Sequence, residues 1–102
     1  MDLDFKITNN DICVKLVGEI DEYTARGLRE DLDKLIEAQG FRTMTLDMQG
    51  VTFLDSTGFG LVVGRYKKLR AKRAELLLKN VPAQVDKVFR TSGLYSFVPI
   101  VK

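Results

Sequence analysis

Apolar and polar residues alternate at the start of the chain, with the period-two spacing of half-buried β-strands. The alternating apolar positions are Leu3, Phe5 and Ile7, followed by Ile12, Val14 and Leu16. Asn9-Asn10-Asp11 separates the two stretches and is a turn signal. The beginning of the chain therefore predicts a β-hairpin that ends near Gly18.

The spacing then changes to that of an amphipathic helix. Its inward positions are Ala25, Leu28, Leu32, Leu35 and Ile36. Asp21 or Thr24 is a candidate cap for the start of this helix, and Gly40 is a candidate stop. Met44, Leu46 and Met48 alternate again in a third strand. A strand, helix, strand order predicts parallel pairing through a right-handed crossover.

The remainder of the chain predicts two more helices and two more strands. A loop is expected over 49–55, followed by a helix with Phe59, Val62, Val63, Tyr66 and Leu69 on one face. The continuously apolar middle of the 75–79 segment predicts a strand covered on both faces. Val81-Pro82 and Ser92-Gly93 bound the third helix, and Pro99 suits an edge strand over 97–101. The pattern predicts one α/β domain over residues 1–102, with helices packed against a mixed, mostly parallel sheet.

Composition narrows the functional classes. The net charge is only +2, from 16 basic and 14 acidic residues, and this balance does not favour a nucleic-acid-binding protein. A single cysteine, Cys13, allows no internal disulfide; we expect it in the core of a protein from a reducing cytosol. The acidic start of the chain does not resemble a signal peptide, and no apolar run is long enough to cross a membrane. The expected location is therefore the cytoplasm.

The chain contains no histidine. Catalytic triads and dyads that use histidine are therefore excluded, as are metal sites with histidine ligands. We expect a binding module with no metal and no cofactor, rather than an enzyme.

The segment Leu54-Asp55-Ser56-Thr57-Gly58 joins a strand to a helix, where open α/β sheets hold their functional sites. Ser56 or Asp55 could simply cap the helix. A capping residue is also partly exposed, so capping and a functional role for Ser56 are compatible.

Gly58, Gly60 and Gly64 follow at a spacing one residue off the dinucleotide-binding fingerprint. No acidic residue ends a strand at the distance that the fingerprint requires, so nucleotide binding is disfavoured. Gly60 and Gly64 lie one turn apart inside a helix, where each costs about 1 kcal/mol relative to alanine. We expect a close approach to offset this cost, made either by the fold itself or by a partner.

Charged residues provide two further candidates. Basic residues crowd the end of the second helix, which favours a solvated helix terminus over contact with an acidic partner: Arg65, Lys67, Lys68, Arg70, Lys72 and Arg73. Asp21, Glu22 and Asp55 lie at loop-to-helix positions and are either caps or an acidic cluster. Two of them would converge near Ser56 if the first and third strands were neighbours.

Four segments occur in an order that resembles a known family. They are Gly18-Glu19-Ile20-Asp21, Phe53-Leu54-Asp55-Ser56-Thr57-Gly58-Phe59-Gly60, Gly64-Arg65-Tyr66-Lys67 and Thr91-Ser92-Gly93-Leu94. The chain resembles the bacterial anti-sigma factor antagonists, which are STAS domains, over nearly its whole length. The Gly-Arg-Tyr-Lys run favours the sporulation branch over the general-stress branch. The family usually continues into a further C-terminal helix, whereas this sequence stops at Lys102.

The resemblance implies a partner-switching mechanism. Ser56 would be phosphorylated by an anti-sigma factor that is itself a serine kinase, and a serine phosphatase would reset it. The unphosphorylated form would bind the kinase and release the sigma factor. Asp21 and Asp55 would lie beside the serine, and Thr57, Gly58, Phe59, Gly60 and Leu61 would form part of the docking surface.

Two alternatives stay open from the sequence. One is a small-ligand or nucleotide-binding STAS-like module. The other is an enzyme that uses Ser56 as a nucleophile, for which the sequence offers no base.

Overall fold

A five-stranded sheet forms the centre of the molecule, with the strands in the order β1-β2-β3-β4-β5. The computed structural model describes residues 1–38 and 40–101. The strands are β1 (Asp2–Thr8), β2 (Asp11–Ile20), β3 (Thr43–Leu54), β4 (Glu75–Lys79) and β5 (Ile100–Val101). The helices are α1 (Ala25–Ala38), α2 (Ser56–Ala71) and α3 (Ala83–Ser92), with a 3-10 turn at Leu94–Ser96.

The strand pairing confirms the predicted fold class. β1 and β2 form the antiparallel hairpin, and every later pair is parallel. The sheet is therefore mixed and mostly parallel. The second strand lies between the first and the third, so the condition under which the acidic residues would converge, with those two strands as neighbours, is not met. It is β2, which leads into Asp21, that lies beside β3, which leads into Asp55.

One face of the sheet is buried and the other is open. The inward positions of β2, β3 and β4 join a single apolar core with residues of all three helices. On the opposite face Cys13, Thr45 and Leu77 lie side by side and are partly exposed. Two predictions are therefore wrong: Cys13 lies outside the core, and β4 is covered on one face only. Both residues lie on the open face because successive side chains of a strand point to opposite faces of the sheet. Leu77, for example, points away from its buried neighbours Leu76 and Leu78.

The predicted loop over 49–55 is also wrong, because β3 continues to Leu54. Gly50, a residue type that is common in loops, lies within this part of the strand. A Cβ atom there would lie 2.8 Å from Val17 Cγ2 and 2.9 Å from the Leu16 carbonyl oxygen. This glycine therefore lets β3 pass closely beside an irregular stretch of β2, where the register shifts between Lys15 and Val17.

The C-terminal part begins with α3, and Gly93 ends this helix in the left-handed conformation (φ 77°). Leu94 is fully buried directly after it. The Tyr95 hydroxyl donates a hydrogen bond of 2.6 Å to Asp86 Oδ1, which holds the 3-10 turn against α3. The last strand is shorter than predicted, since the 3-10 turn occupies 94–96 and β5 starts only at Ile100.

Candidate functional site

Ser56 is the first residue of α2, and its side chain is exposed. Asp55 caps this helix: its Oδ1 accepts a hydrogen bond of 3.0 Å from the Gly58 backbone N–H. The Ser56 hydroxyl makes no hydrogen bond to any residue within 1–38 or 40–101. The choice that the sequence left open is thus resolved, with Asp55 as the cap and Ser56 available for chemistry.

Asp21 lies in the loop that follows β2, next to the loop that leads from β3 into α2. Ile20 and Leu54 are partners across β2 and β3, and the Asp55 N–H donates to the Ile20 carbonyl oxygen at 3.3 Å. The residues that follow each strand, Asp21 and Asp55, therefore belong to adjacent loops. Asp21 Oδ1 accepts hydrogen bonds from the backbone N–H groups of Tyr23 and Thr24, at 2.9 and 3.0 Å.

Both carboxylates thus organise the starts of helices, and they lie in adjacent loops at the end of the sheet where α2 begins. The third acidic candidate, Glu22, is exposed and lines a groove on the α1 side of α2. Among the described residues, no group of three or more Cys, Asp or Glu side chains is arranged to hold a metal ion.

Of the three glycines in α2, Gly58 is the one that the fold requires. A Cβ atom at this position would lie 2.7 Å from Leu54 Cγ, 2.9 Å from Ile20 Cγ2 and 3.1 Å from the Ile20 carbonyl oxygen. The first turn of α2 therefore rests directly on the ends of β2 and β3. Gly58 contributes to the site by positioning Ser56 rather than by offering a surface.

Gly60 and Gly64 differ from Gly58. A Cβ atom at either position would have no atom within 4 Å, so a close approach by the fold itself does not explain these glycines. Both line a groove of about 460 Å³ between α1 and α2. The other lining residues are Glu22, Ala25, Arg26, Arg29, Thr57, Leu61 and Arg65. We call this surface the α1–α2 groove.

A second groove lies on the other side of α2, against α3, and we call it the α2–α3 groove. Its volume is about 430 Å³. It is lined by Asp55, Ser56, Phe59, Lys87, Val88, Thr91 and Ser92. Ser56 and Phe59 lie on this side of α2, whereas Thr57, Gly60 and Leu61 face the α1–α2 groove. The N-terminal half of α2 is therefore a ridge between two grooves.

The basic end of α2 is only partly solvated, which corrects the sequence interpretation. Arg65 is buried, and its Nε lies 3.1 Å from Asp33 Oδ1 on α1. Lys68 Nζ lies 3.2 Å from both Asp33 Oδ2 and Glu37 Oε1, and hydrogen bonds to these carboxylates raise the pKa of Lys68. Lys72 Nζ donates to the Ile36 carbonyl oxygen at 3.0 Å. These cations therefore join α2 to α1.

A known protein family matches almost the entire chain. Residues 2–102 match the STAS domain family. The chain is a STAS domain. The sheet with its helices on one face is the fold of that family, so the resemblance that the four segments carried is confirmed.

Individual relatives point to one class of regulator. The STAS domain is 36% identical to the anti-sigma-B factor antagonist of Bacillus subtilis, over 98% of this chain and 90% of that protein. It is 32% identical to the anti-sigma F factor antagonist of Paenibacillus polymyxa, over 87% of this chain and 76% of that protein. These names describe antagonists of other proteins, which is a regulatory role rather than an enzymatic one.

Solved structures agree with the sequence relatives. The anti-sigma factor antagonist SpoIIAA in its unphosphorylated form superposes with a TM-score of 0.83 at 27% identity, covering 99% of this chain and 89% of that one. The phosphorylated form of Bacillus SpoIIAA superposes with a TM-score of 0.75 at 26% identity, covering 99% and 92%. None of the described helices of this STAS domain is long and apolar enough to cross a membrane.

Several residues in or near the two grooves escaped sequence reasoning, although Tyr23 lines neither groove. Tyr23 is 86% exposed in the loop that Asp21 organises, and Lys87 and Val88 reach the Ser56 side of α2 from α3. Arg29 lines the α1–α2 groove from α1. Tyr23 alone had a local signal, as an aromatic residue off the apolar face of the next helix. The others are brought to α2 only by tertiary packing.

Proposed function

We propose that this STAS domain is an anti-sigma factor antagonist that Ser56 switches. Unmodified, it binds an anti-sigma factor with serine kinase activity and thereby releases the sigma factor. Phosphorylation of Ser56 ends this binding, and a serine phosphatase restores it. The observation that carries the proposal is the exposed Ser56 hydroxyl at the start of α2, which the Asp55 cap leaves without a structural task.

The proposed docking surface is the ridge of α2 with its two flanking grooves. Phe59 offers a half-buried aromatic ring on one side, and Thr57, Gly60 and Leu61 border the groove on the other. Asp21 and Asp55 make the end of the ridge acidic, which suits a basic partner surface. Gly58 belongs to this surface only indirectly, since it is buried under the first turn.

Charge supplies the physical basis of the switch. A phosphoserine adds about −1.5 to −2 charge at neutral pH. The positive groups of a partner surface adapted to the unmodified loop would already pair with Asp21 and Asp55, so the added phosphate would find no free counter-charge and would lie against neutral or acidic groups of the partner. One like-charge contact near 4 Å costs about 4 kcal/mol at an effective dielectric constant of 20. That cost corresponds to roughly a thousand-fold loss of affinity, before any steric conflict.

Two finer assignments belong to the same proposal. The Gly64-Arg65-Tyr66-Lys67 run supports the sporulation branch, although the identities to the sigma-B and sigma F antagonists are similar, at 36% and 32%. The single cysteine supports a location in the cytoplasm. The proposed activity requires no metal, cofactor, nucleic acid or membrane.

The deciding experiment begins with the protein as bait in a lysate of its own organism, with and without ATP. We expect a kinase to be retained and Ser56 to be the modified residue. The purified kinase is then titrated by calorimetry, in the presence of ADP, with the unmodified protein, the phosphorylated protein, Ser56→Ala and Ser56→Asp. Unmodified protein and Ser56→Ala should bind, the phosphorylated form should bind at least a hundredfold more weakly, and Ser56→Asp should lie between them.

Equal affinity of the phosphorylated and unmodified forms would contradict the switch. Modification at a residue other than Ser56 would contradict the assignment of the site. Native mass spectra of the purified protein test the alternative ligand-binding module, since a retained small molecule in place of a kinase would favour it.

A further inference from the structure

The α1–α2 groove has a positive wall that the switch at Ser56 does not use. Three arginines line it: Arg26 and Arg29 from α1, and Arg65 from α2. Glu22 is the one carboxylate among its lining residues. Arg26 lies 3.5 Å from Glu30 in an exposed pair, whereas no ion pair joins Arg29 to any residue of the described ranges.

Arg65 carries the strongest evidence. Its side chain is only 7% exposed, yet neither its Nε nor its Nη1 has a hydrogen-bond partner among the described residues. Nε lies 3.1 Å from Asp33 Oδ1, but the N–H is not aimed at that oxygen, and Asp33 Oδ1 is itself without a hydrogen bond. Buried polar groups in native proteins are nearly always satisfied. The ion pair with Asp33 therefore leaves part of the hydrogen-bonding capacity of this guanidinium unused, and Arg65 is a candidate to hold an additional acceptor in the groove that it lines.

Arg29 strengthens the field at the same place. Burial is the main cause that lowers the pKa of Arg65; Asp33 opposes this shift, and the positive charge of Arg29 adds to it. The two guanidinium groups are therefore close enough to repel each other. A single anionic group between them would relieve this repulsion.

Gly60 and Gly64 keep the groove open. Neither position has any atom within 4 Å of where a Cβ would be, so side chains there would fill the groove without disturbing the fold. The helix tolerates two glycines that each cost about 1 kcal/mol relative to alanine. An occupant that needs this space offers a physical reason for that cost.

We propose that the α1–α2 groove binds a carboxylate side chain of the partner kinase, held between Arg29 and Arg65. This inference rests on the proposed function and adds the chemistry of a second contact. The partner would then meet an acidic end of the ridge at Asp21 and Asp55, and a basic groove further along α2. Opposite charges at two points fix the orientation in which the partner docks.

The test uses the kinase that phosphorylates Ser56, titrated with variants of the full chain. Arg29→Gln removes an exposed charge and should weaken binding about tenfold, the effect expected for one charge-assisted hydrogen bond. Lys34→Gln is the matched control, because Lys34 is exposed on the same helix and does not line the groove. It should bind as the wild-type chain does.

A second pair of variants does not depend on removing an arginine. Gly64→Asp supplies a carboxylate from the chain itself and should weaken kinase binding, whereas Gly64→Asn adds the same bulk without the charge. We expect Gly64→Asp to bind more weakly than Gly64→Asn, with the difference falling at high salt. Thermal melts of both variants verify that they fold.

The partner's residue is found by a double-mutant cycle. Surface Asp and Glu residues of the kinase are changed to Asn and Gln one at a time. One of these kinase variants should bind the wild-type chain more weakly than the unchanged kinase does. The same kinase substitution should cause little further loss of affinity for Arg29→Gln.

Two outcomes would overturn the inference. One is wild-type affinity of both Arg29→Gln and Gly64→Asp. The other is that the groove binds free anions but not the kinase. In that case sodium sulfate would shift the amide resonances of the groove, whereas the affinity for the kinase would be the same for the variants and the wild-type chain. If the wild-type chain binds no kinase at all, the proposed function fails instead, so the two failures are distinguishable.

Discussion

The three glycines of α2 show how residues of one type acquire different tasks from their surroundings. The sequence pattern singles out Gly60 and Gly64 as glycines within a helix and assigns Gly58 to the segment that joins the strand to that helix. In the structure, Gly58 is the one of the three that contacts β2 and β3, so it is the glycine of α2 that the fold requires. Gly60 and Gly64 face an open groove. Helical periodicity cannot foresee this, because the contacts of Gly58 come from the ends of strands.

Alanine substitutions should therefore change stability in opposite directions. Gly58→Ala should lower the free energy of unfolding by about 1–3 kcal/mol, because the new methyl group overlaps Leu54 and Ile20. Gly60→Ala and Gly64→Ala should raise it, each by up to about 1 kcal/mol, through helix propensity. Urea denaturation of the three variants measures these changes. A destabilised Gly60→Ala would mean that the fold needs this glycine after all.

Ser56 illustrates both the reach and the limit of local sequence patterns. The Asp-Ser-Thr-Gly segment located the start of α2 correctly, although a loop was predicted over 49–55 where β3 in fact continues to Leu54. It could not say which of Asp55 and Ser56 caps the helix, because both side chains are good caps. Tertiary geometry decides in favour of Asp55, whose carboxylate reaches the Gly58 N–H.

At the level of secondary-structure elements, helices were predicted better than strands. The inward faces of α1 and α3 follow from their 3.6-residue spacing. The predicted face of α2 is only partly right, because this helix also buries Leu61 and Arg65, while Phe59, Val63 and Tyr66 are partly buried. The errors in the strands have two different causes. β3 runs through Gly50 beside an irregular stretch of β2, and β4 was assigned two covered faces because three leucines are consecutive.

The capping assignment at the start of α2 leads to a prediction for this helix. Asp55→Ala should lower the free energy of unfolding by about 1 kcal/mol, within the usual range of 0.5–2 for a lost cap. Ser56→Ala should change it by less than about 0.5 kcal/mol, since the hydroxyl makes no hydrogen bond within the described ranges. Chemical denaturation of the two variants side by side tests this. The opposite ranking would show that Ser56 is the cap in solution.

For the whole molecule, the sequence predicted the fold class and placed Ser56 near the start of α2, but it predicted neither groove. Each groove is made by residues that are far apart in the chain, such as Arg29 with Gly64 and Ser56 with Val88. Amphipathic patterns specify which face of a helix points inward. They say little about which exposed residues of two helices become neighbours, since that depends on crossing geometry.

The position of Ser56 on the folded domain determines how phosphorylation can act. The phosphate would stand at the first residue of α2, where free N–H groups and the positive end of the helix dipole favour an anion. Lys87 lines the same groove from α3 and adds a positive charge nearby. Asp21 and Asp55 oppose these effects. The contributions have opposite signs, and Ser56 is exposed, so little of the core depends on it.

We therefore expect the phosphorylated domain to keep its fold. Its melting temperature should differ from that of the unmodified protein by less than about 4 °C, the shift that about 1 kcal/mol produces in a domain of this size. Ser56→Ala provides the reference without the hydroxyl, and melts at low and high salt separate the charge contribution from the rest. Phosphorylation would then abolish partner binding through the interface alone. A fall of many degrees on phosphorylation would instead mean that the modification loosens α2 itself, and the loss of binding would follow from partial unfolding rather than from repulsion at the docking surface.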